Sequence, residues 1–336
     1  MKGPTAAAAP LIQRVYRLLA DQQFHSGAAL AAECDVTRSA VWKAIATLRE
    51  LGLTVHAVSN RGYRLPRATP LLDAARIRKA LPAPVAARLR EAGTVWTTGS
   101  TNADLLTRAD LPPGRFDFLT AEFQSAGRGR RTRHWFAPPG GAICLSLSWS
   151  FTRVPAGIGA LSLAAGVCAL RALKRSGIES VELKWPNDLL AGQAKLGGIL
   201  AELRADAAGA AFIVIGLGIN VTLGAVMLER IKASGTQAID LAALTTAPPD
   251  RNGLIAALVT ELVAGLLQFE RDGFQSFAAE WRAADALAGK PVQVMLESGS
   301  VTGHARGIDL DGALRVQTRE GVQRFLTGDT TVRSLA

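Results

Sequence analysis

A chain of 336 residues, 49% hydrophobic and 20% charged, is long enough for two or three domains and apolar enough to give them cores, which excludes a disordered or fibrous protein. The formal net charge of +10 is uneven: residues 1–67 hold nine Lys/Arg against four Asp/Glu, an excess that favours a polyanionic partner, although an arginine-preferring genome gives the same sign. Cys34, Cys144 and Cys168 lie far apart, which excludes a disulfide framework or a cysteine metal site and makes a reducing cytoplasm the expected compartment.

At the amino terminus no signal-peptide h-region forms before Arg14 and Arg17 interrupt it. Leu11, Ile12, Val15, Leu18 and Leu19 recur at helical spacing, and a second helix is expected from Ser26 through Leu30 to Cys34. Asp35 and Val36 make a turn. Thr37 then caps a third helix whose apolar face is Val41, Ile45, Leu48 and Leu51 and whose stop is Gly52. Its opposite face gathers Arg38, Ser39, Trp42 and Lys43 near the N-terminal end, the part of a recognition helix that meets base edges in a major groove. Leu53 to Val58 and Tyr63 to Leu65 read as two strands around a Ser-Asn-Arg-Gly turn, the wing of a winged helix-turn-helix over residues 1–66. Arg61 at the tip suits a phosphate or the minor groove, so Thr37, Arg38, Ser39, Trp42, Lys43 and Arg61 are the candidate DNA contacts. A three-helix interaction module with merely solubilising arginines is the bland alternative. Pro66 and Pro70 mark a linker.

Beyond Pro84, apolar strands alternate with helices: strands at Val95 to Thr98, Phe118 to Phe123 and Ala142 to Phe151, a helix from Val154 to Ser176 closed by Gly177, then strands at Val181 to Trp185, Gly197 to Leu203 and Ala211 to Ile219. This order predicts an α/β domain over residues 67–286 with a mixed, mainly antiparallel sheet, inside an α+β chain. The uncharged run Val154 to Leu170 is shorter than the ~20 residues that span a bilayer, and no membrane partner is expected. Four clusters fall at strand ends. Ser100-Thr101-Asn102 suits a small polar head group, or an ordinary helix cap. Gln124 to Trp135 interleaves Gly127 and Gly129 with Arg128, Arg130, Arg131 and Arg133; such a backbone can wrap an anion while guanidinium forks bind its oxygens, though RG-rich stretches also form solvated loops. Lys184-Trp185-Pro186-Asn187-Asp188, followed by Lys195-Leu196-Gly197-Gly198, suits a nucleotide with Asp188 holding Mg²⁺ or orienting a lysine, or is a surface turn. Gly216-Leu217-Gly218-Ile219-Asn220 is a weak sign of ligand approach. Walker A, Rossmann, nucleophile-elbow and HExxH patterns are absent from the sequence. Several short strands with Gly/Asp turns end the chain, consistent with a small barrel at 287–336.

The ordered set of winged helix, G-S-T-N, Q-S-A-G-R-G-R-R-x-R-x-W, K-W-P-N-D, K-L-G-G-I-L and G-L-G-I-N resembles the bifunctional biotin operon repressor and biotin–protein ligase family over essentially the whole chain. The last segment, Gly289 to Arg333, looks like that family's SH3-like β domain. The resemblance implies a ligase that makes biotinoyl-5′-AMP from biotin and ATP with Mg²⁺, transfers biotin to a lysine of the biotin carboxyl carrier protein, and represses biotin synthesis as a homodimer on operator DNA when the adenylate is bound. Carried over by motif, Ser100, Thr101, Asn102, Gln124, Gly127, Arg128, Gly129, Arg130, Lys195 and Gly198 would hold biotin, with Arg130 and Lys195 catalytic. Trp135, Lys184, Asn187, Asp188, Asn220, Asp329 and Arg333 would serve the nucleotide, and Asp188 the metal.

Two departures stand out. Gly99 replaces an aspartate found in some members, and the segment after Asn220 has no aromatic residue, so Val226, Met227 or Leu228 are expected to cover the adenine. The rival readings are a lipoate or octanoate ligase, a biotin sensor without turnover, and a ligase whose winged helix no longer regulates.

Overall fold

In a computed structural model, which describes residues 10–66, 69–108, 111–205, 211–246, 250–296, 299–326 and 331–334, three helices come first: α1 (Leu11–Leu19), α2 (Gly27–Glu33) and α3 (Arg38–Glu50). Ser26 Oγ accepts the Ala29 N–H and Thr37 Oγ1 accepts the Ala40 N–H, each supplying an acceptor to an orphan donor at a helix start. Val41, Ala44, Ile45 and Leu48 of α3 are buried with Val15, Tyr16 and Leu19 of α1, as the apolar spacing requires. The wing strands β1 (His56–Val58) and β2 (Gly62–Arg64) are antiparallel; β1 is shorter than the sequence suggested, and β2 is shifted by one residue. His25 extends the wing, exchanging backbone hydrogen bonds of 2.9 and 2.8 Å with Tyr63. Gly62, at φ +97°, permits that approach, since a Cβ there would lie 2.0 Å from the His25 carbonyl oxygen.

Two short helices, α4 (Ala74–Ala80) and α5 (Ala83–Ala86), precede β3 (Leu89–Thr98), α6 (Thr101–Leu106), β4 (Phe116–Gln124) and β5 (Ala142–Phe151). After α7 (Leu161–Arg175) come β6 (Glu182–Lys184), β7 (Asp188–Ala191), β8 (Ala194–Ala205) and β9 (Ala211–Asn220). Among the described residues these strands make one seven-stranded sheet of order β3-β4-β5-β9-β8-β7-β6, in which only β3 and β4 run parallel. The mixed, mainly antiparallel sheet is thus as expected, but several element bounds move and one strand is new. Strand β3 begins at Leu89, and β7 was not anticipated. The helix expected from Val154 begins only at Leu161, because Pro155 and the left-handed Gly157 (φ +68°) belong to a turn that leads into a 3₁₀ segment, Ile158–Ala160.

The chain continues with α8 (Gly224–Ala233), α9 (Arg251–Asp272) and α10 (Ala278–Ala283). Helix α9 has no counterpart in the sequence reading. By length and composition it could cross a membrane, with a mean hydropathy of 1.6, yet Leu254, Ile255, Leu258, Val259, Leu262 and Val263 are buried in the core. With α7 it covers the sheet face formed by Ile143, Leu145, Leu147, Ile215 and Leu217. Strand alternation turns Cys144, Ser146, Gly216 and Gly218 to the other face.

The final strands β10 (Pro291–Leu296), β11 (Gly299–Ile308), β12 (Leu314–Thr318), β13 (Gly321–Phe325) and β14 (Thr331–Ser334) form an antiparallel sheet of order β13-β12-β11-β10-β14. Its Val292, Val294, Leu314 and Val316 join the same apolar cluster as the central sheet. At the other end, Tyr16 of α1 packs on Trp96 of β3 with ring centroids 5.5 Å apart.

Candidate active site

The face of the central sheet opposite α7 and α9 carries a cavity of about 200 Å³. The clusters singled out in the sequence meet there. Ser100, Thr101, Asn102, Gln124, Arg128, Gly129, Arg130, Trp135, Lys184, Asn187, Asp188, Lys195, Gly198 and Asn220 all line it. Gly127 does not. It packs under the Trp135 backbone, where a Cβ would lie 2.9 Å from the carbonyl oxygen. Asp329 lies outside the described residues, whereas Arg333 is a residue of β14, next to Val332, which lines the cavity.

One end of the cavity is a hydrogen-bonding cluster of neutral side chains bordered by the Arg128–Glu202 ion pair. The Thr101 N–H and hydroxyl both donate to Gln124 Oε1 (2.8 and 3.1 Å), and Ser146 Oγ donates to Asn102 Oδ1 at 2.5 Å. Asn102 Nδ2 donates to Glu202 Oε2 at 2.7 Å, and Arg128 Nη2 lies 3.4 Å from Glu202 Oε1. Ser100 is also the N-cap of α6, so the cap reading of this trio holds, and the same three residues line the cavity. The Gly-x-Gly of β9 makes room for this end: a Cβ on Gly216 would lie 2.2 Å from Asn102 Oδ1, and one on Gly218 would lie 2.6 Å from the Trp135 ring. Neither glycine has a positive φ; both are small because a side chain from another element lies against them.

The other end is cationic. The loop between β4 and β5 folds on itself through the Gly129 N–H to Arg133 carbonyl bond (2.7 Å), and Arg131 adopts a left-handed conformation (φ +54°) uncommon for a residue with a Cβ. Arg128, Arg130, Arg131 and Arg133 all face the cavity. Opposite them Lys195 Nζ lies 2.5 Å from Asp188 Oδ1, across the β7–β8 pair. Asn187 Nδ2 donates to the Ile199 carbonyl (2.7 Å), and Asn220 Nδ2 donates to the carbonyls of Lys195 and Ile239 (3.3 and 3.0 Å), so both amides hold backbone as well as lining the site. Mg²⁺ typically takes one or two carboxylates and completes its shell with phosphate and water oxygens. Asp188, a single half-buried carboxylate beside Lys195, fits that role, while no group of three or more potential metal-binding side chains occurs among the described residues. Cys144 also lines the cavity, but burial pushes its thiol up to about 12, which excludes a thiolate nucleophile at neutral pH.

The expected aliphatic cover is corrected. Val226 is exposed, Met227 is buried towards Gly52 of the winged helix, and neither they nor Leu228 line the cavity. Ile231, Ser234, Thr236 and Ala238 face it instead. Phe136, just after the Gly-Arg loop, adds an aromatic ring to the wall beside Trp135 and Trp185, with the Arg230 guanidinium 5.1 Å from its centroid. On the winged helix, Trp42 is 61% exposed, and the guanidiniums of Arg61 and Arg64 stack over Phe24 at 4.2 and 4.9 Å. Thr37, the cap, also bonds Ser39 Oγ at 2.9 Å.

Residues 98–220 match the model of the biotin/lipoate A/B protein ligase family, residues 11–64 a helix-turn-helix domain and residues 288–330 the biotin protein ligase C-terminal domain. The bifunctional ligase/repressor BirA of Salmonella typhimurium is 38% identical over 318 residues, 94% of this chain and 96% of that protein. The chain belongs to the biotin protein ligase family. Its relatives include the biotin–[acetyl-CoA-carboxylase] ligase of Mycobacterium tuberculosis, 40% identical over 67% of this chain and 82% of that one. A biotin protein ligase from Aquifex aeolicus, solved with biotin and ATP, superposes with a TM-score of 0.60 at 26% identity over 74% of this chain and 99% of its own. For a biotin protein ligase, the residues missed in the sequence are instructive. Ser146 and Phe136 line the cavity and Glu202 holds Asn102 beside it; they lie inside strands or at a loop end, where nothing in their spacing sets them apart.

Proposed function

We propose that this biotin protein ligase forms biotinoyl-5′-AMP from biotin and ATP, passes the biotinoyl group to a lysine of the biotin carboxyl carrier protein of acetyl-CoA carboxylase, and uses its winged helix as a biotin-responsive repressor of biotin synthesis. The observation that carries the reading is one cavity with a neutral amide and hydroxyl end at Thr101, Asn102, Gln124 and Ser146 and a cationic end at Arg130 and Lys195. Biotin has the matching ends, a neutral ureido head and a carboxylate tail.

In the first step a carboxylate oxygen attacks the α-phosphorus, an O–P bond forms, and pyrophosphate leaves. Two anions must meet, so positioned cations lower the barrier more than a protein nucleophile would. Ser100, Thr101, Asn102 and Gln124 hold the head group, while Gly127, Arg128 and Gly129 shape the loop over it and Gly198 leaves space beside Lys195. Arg130 meets the departing pyrophosphate or the α-phosphate, and Lys195 bridges carboxylate and α-phosphate oxygens. Trp135, Lys184, Asn187, Asp188 and Asn220 serve the nucleotide, and Asp329 and Arg333 are assigned to it by family motif. Mg²⁺, ligated by Asp188 and the phosphates, would neutralise phosphate charge. In the second step the acceptor amine attacks the anhydride carbonyl and AMP leaves.

Thr37, Arg38, Ser39, Trp42, Lys43 and Arg61 form the DNA face. If the adenylate orders loops that also build a homodimer surface, linkage requires it to tighten the dimer, which presents two winged helices to a palindromic operator. Three free, buried thiols support a reducing cytoplasm as the compartment.

Biotin-dependent ATP–pyrophosphate exchange, with lipoate and octanoate as controls, tests the ligase half. Exchange with biotin alone is expected; exchange with lipoate instead assigns the other branch of the family, and none with any acid in biotin-binding protein leaves a sensor. Operator gel shifts should strengthen with biotin and ATP and weaken when unmodified acceptor is added. Insensitivity to both identifies a ligase whose winged helix does not regulate.

A further inference from the structure

Trp185 is buried, and its indole N–H donates to the carbonyl of Gly312, 127 residues away, at 3.0 Å. The acceptor belongs to a turn that carries its own hydrogen bonds and ion pairs. Asp309 N–H donates to the Ala313 carbonyl (2.8 Å), Asp311 Oδ1 accepts the Ala313 N–H (3.1 Å), and Arg324 reaches both Asp309 and Asp311 at 2.5 Å. Gly312, at φ +88°, lies against the start of α7, where a Cβ would come within 2.9 Å of Ala160. The turn is therefore rigid and seated on the central domain, and the indole N–H is the polar group that meets it. Trp185 itself stands between Lys184 and Asp188 on the cavity wall, and the same C-terminal sheet contributes Val332 to that wall.

We propose that Trp185 is a positioning residue for the nucleotide, fixing the C-terminal sheet to the Lys184–Asp188 turn so that both sides of the ATP end of the cavity are set by one contact. The proposal rests on the ligase reading for the identity of the ligand. The geometry gives it a selective consequence. The biotin head cluster at Thr101, Asn102 and Gln124 is built from α6 and β4 and takes nothing from the C-terminal sheet, so loosening the contact weakens ATP without weakening biotin.

Trp185→Phe keeps an aromatic ring and removes the N–H, leaving the Gly312 carbonyl without that donor. Calorimetric titration of the full chain with ATP and, separately, with biotin should show ATP affinity lowered roughly tenfold and biotin affinity within about twofold of the parent. Gly312→Ala, which forces the turn off Ala160, should give the same split, and the double variant should be no weaker for ATP than the weaker single, because both changes break one contact. Equal ATP affinity in the parent and Trp185→Phe overturns the proposal, as does a parallel loss of biotin, which marks a merely structural tryptophan. A parent that binds ATP but shows no biotin-dependent exchange refutes the ligase reading and leaves the ATP comparison decisive for Trp185.

Discussion

Arg251 Nη1 lies 2.8 Å from Glu122 Oε2, with the two side chains 1% and 4% exposed. The pair holds the interdomain linker. Arg251 also donates to the carbonyls of Ala142 (3.2 Å) and Pro70 (2.8 Å), Glu122 Oε1 accepts the Leu72 N–H (2.5 Å), and Thr69 bonds both Gly140 and Tyr16. Removing one partner of such a pair strands a buried charge, at a cost of about 3–5 kcal/mol. Arg251→Met should therefore lower the unfolding free energy by that order and open residues 69–72 to protease, while Arg251→Met with Glu122→Gln should recover a good part of it. Denaturant unfolding and limited proteolysis check both; a double variant as unstable as the sum of the singles contradicts the pairing.

Lys195 presents the opposite case, a partly exposed cation whose ion pair with Asp188 is worth at most about 1 kcal/mol to folding. Under the proposed ligase reading its value lies in the charge it sets at the junction of carboxylate and phosphate. Lys195→Ala should leave the melting temperature nearly unchanged and slow adenylate formation by roughly 10²–10³-fold, the scale of losing one preorganised electrostatic contact. Single-turnover measurement with saturating biotin and ATP reads it, and a near-normal rate removes Lys195 from the mechanism.

Much of this was legible in the sequence because local chemistry decides it. Ser26 and Thr37 announce helix starts, Gly52 a stop, and the alternation of β5 and β9 a sheet. What could not be read depends on contacts distant in the chain. Helix α9 is apolar on most sides because it is buried between α7 and the sheet, so it offers no clear stripe. Gly216 and Gly218 are glycines on account of Asn102 and Trp135, more than 80 residues earlier, and Phe136 takes its place in the cavity wall by packing against Met227 and Ile231 of α8.

The wing offers a test of phosphate contact. Arg61 is held 4.2 Å over Phe24, which restricts its long side chain before DNA arrives. A phosphate contact carries no sequence choice, so Arg61→Ala should weaken operator and unrelated duplex alike and reduce the slope of log K against log salt by about 1. Trp42→Ala, on the exposed face of α3, should instead weaken operator more than unrelated DNA. Fluorescence anisotropy across a salt series separates the two, and an unchanged slope for Arg61→Ala removes it from the phosphate face.

Asp285 gives a pH prediction with a definite sign. It is 8% exposed; Oδ1 accepts the Leu287 N–H at 2.9 Å, while Oδ2 is buried with no hydrogen-bond partner among the described residues. Burial pushes its carboxyl up to about 6, with the Leu287 N–H and Lys290 opposing and Glu182 reinforcing the rise. An unfolded aspartate titrates near 3.9, so between about pH 4 and pH 6 the folded chain binds the extra proton, and this group's contribution to stability falls as pH rises through that window. Above it the ionised carboxylate costs on the order of 3 kcal/mol. Glu280 and Asp311, held below the usual carboxylate range by Arg171 and Arg324, contribute the opposite slope at lower pH, so the comparison must be made against a variant. Asp285→Asn keeps an acceptor for Leu287 and removes the charge; it should match the parent near pH 4 and exceed it at pH 7.5 by up to roughly 3 kcal/mol. Urea unfolding of both proteins across that range reads the difference, and parallel pH profiles would show that Asp285 is already ionised at no cost.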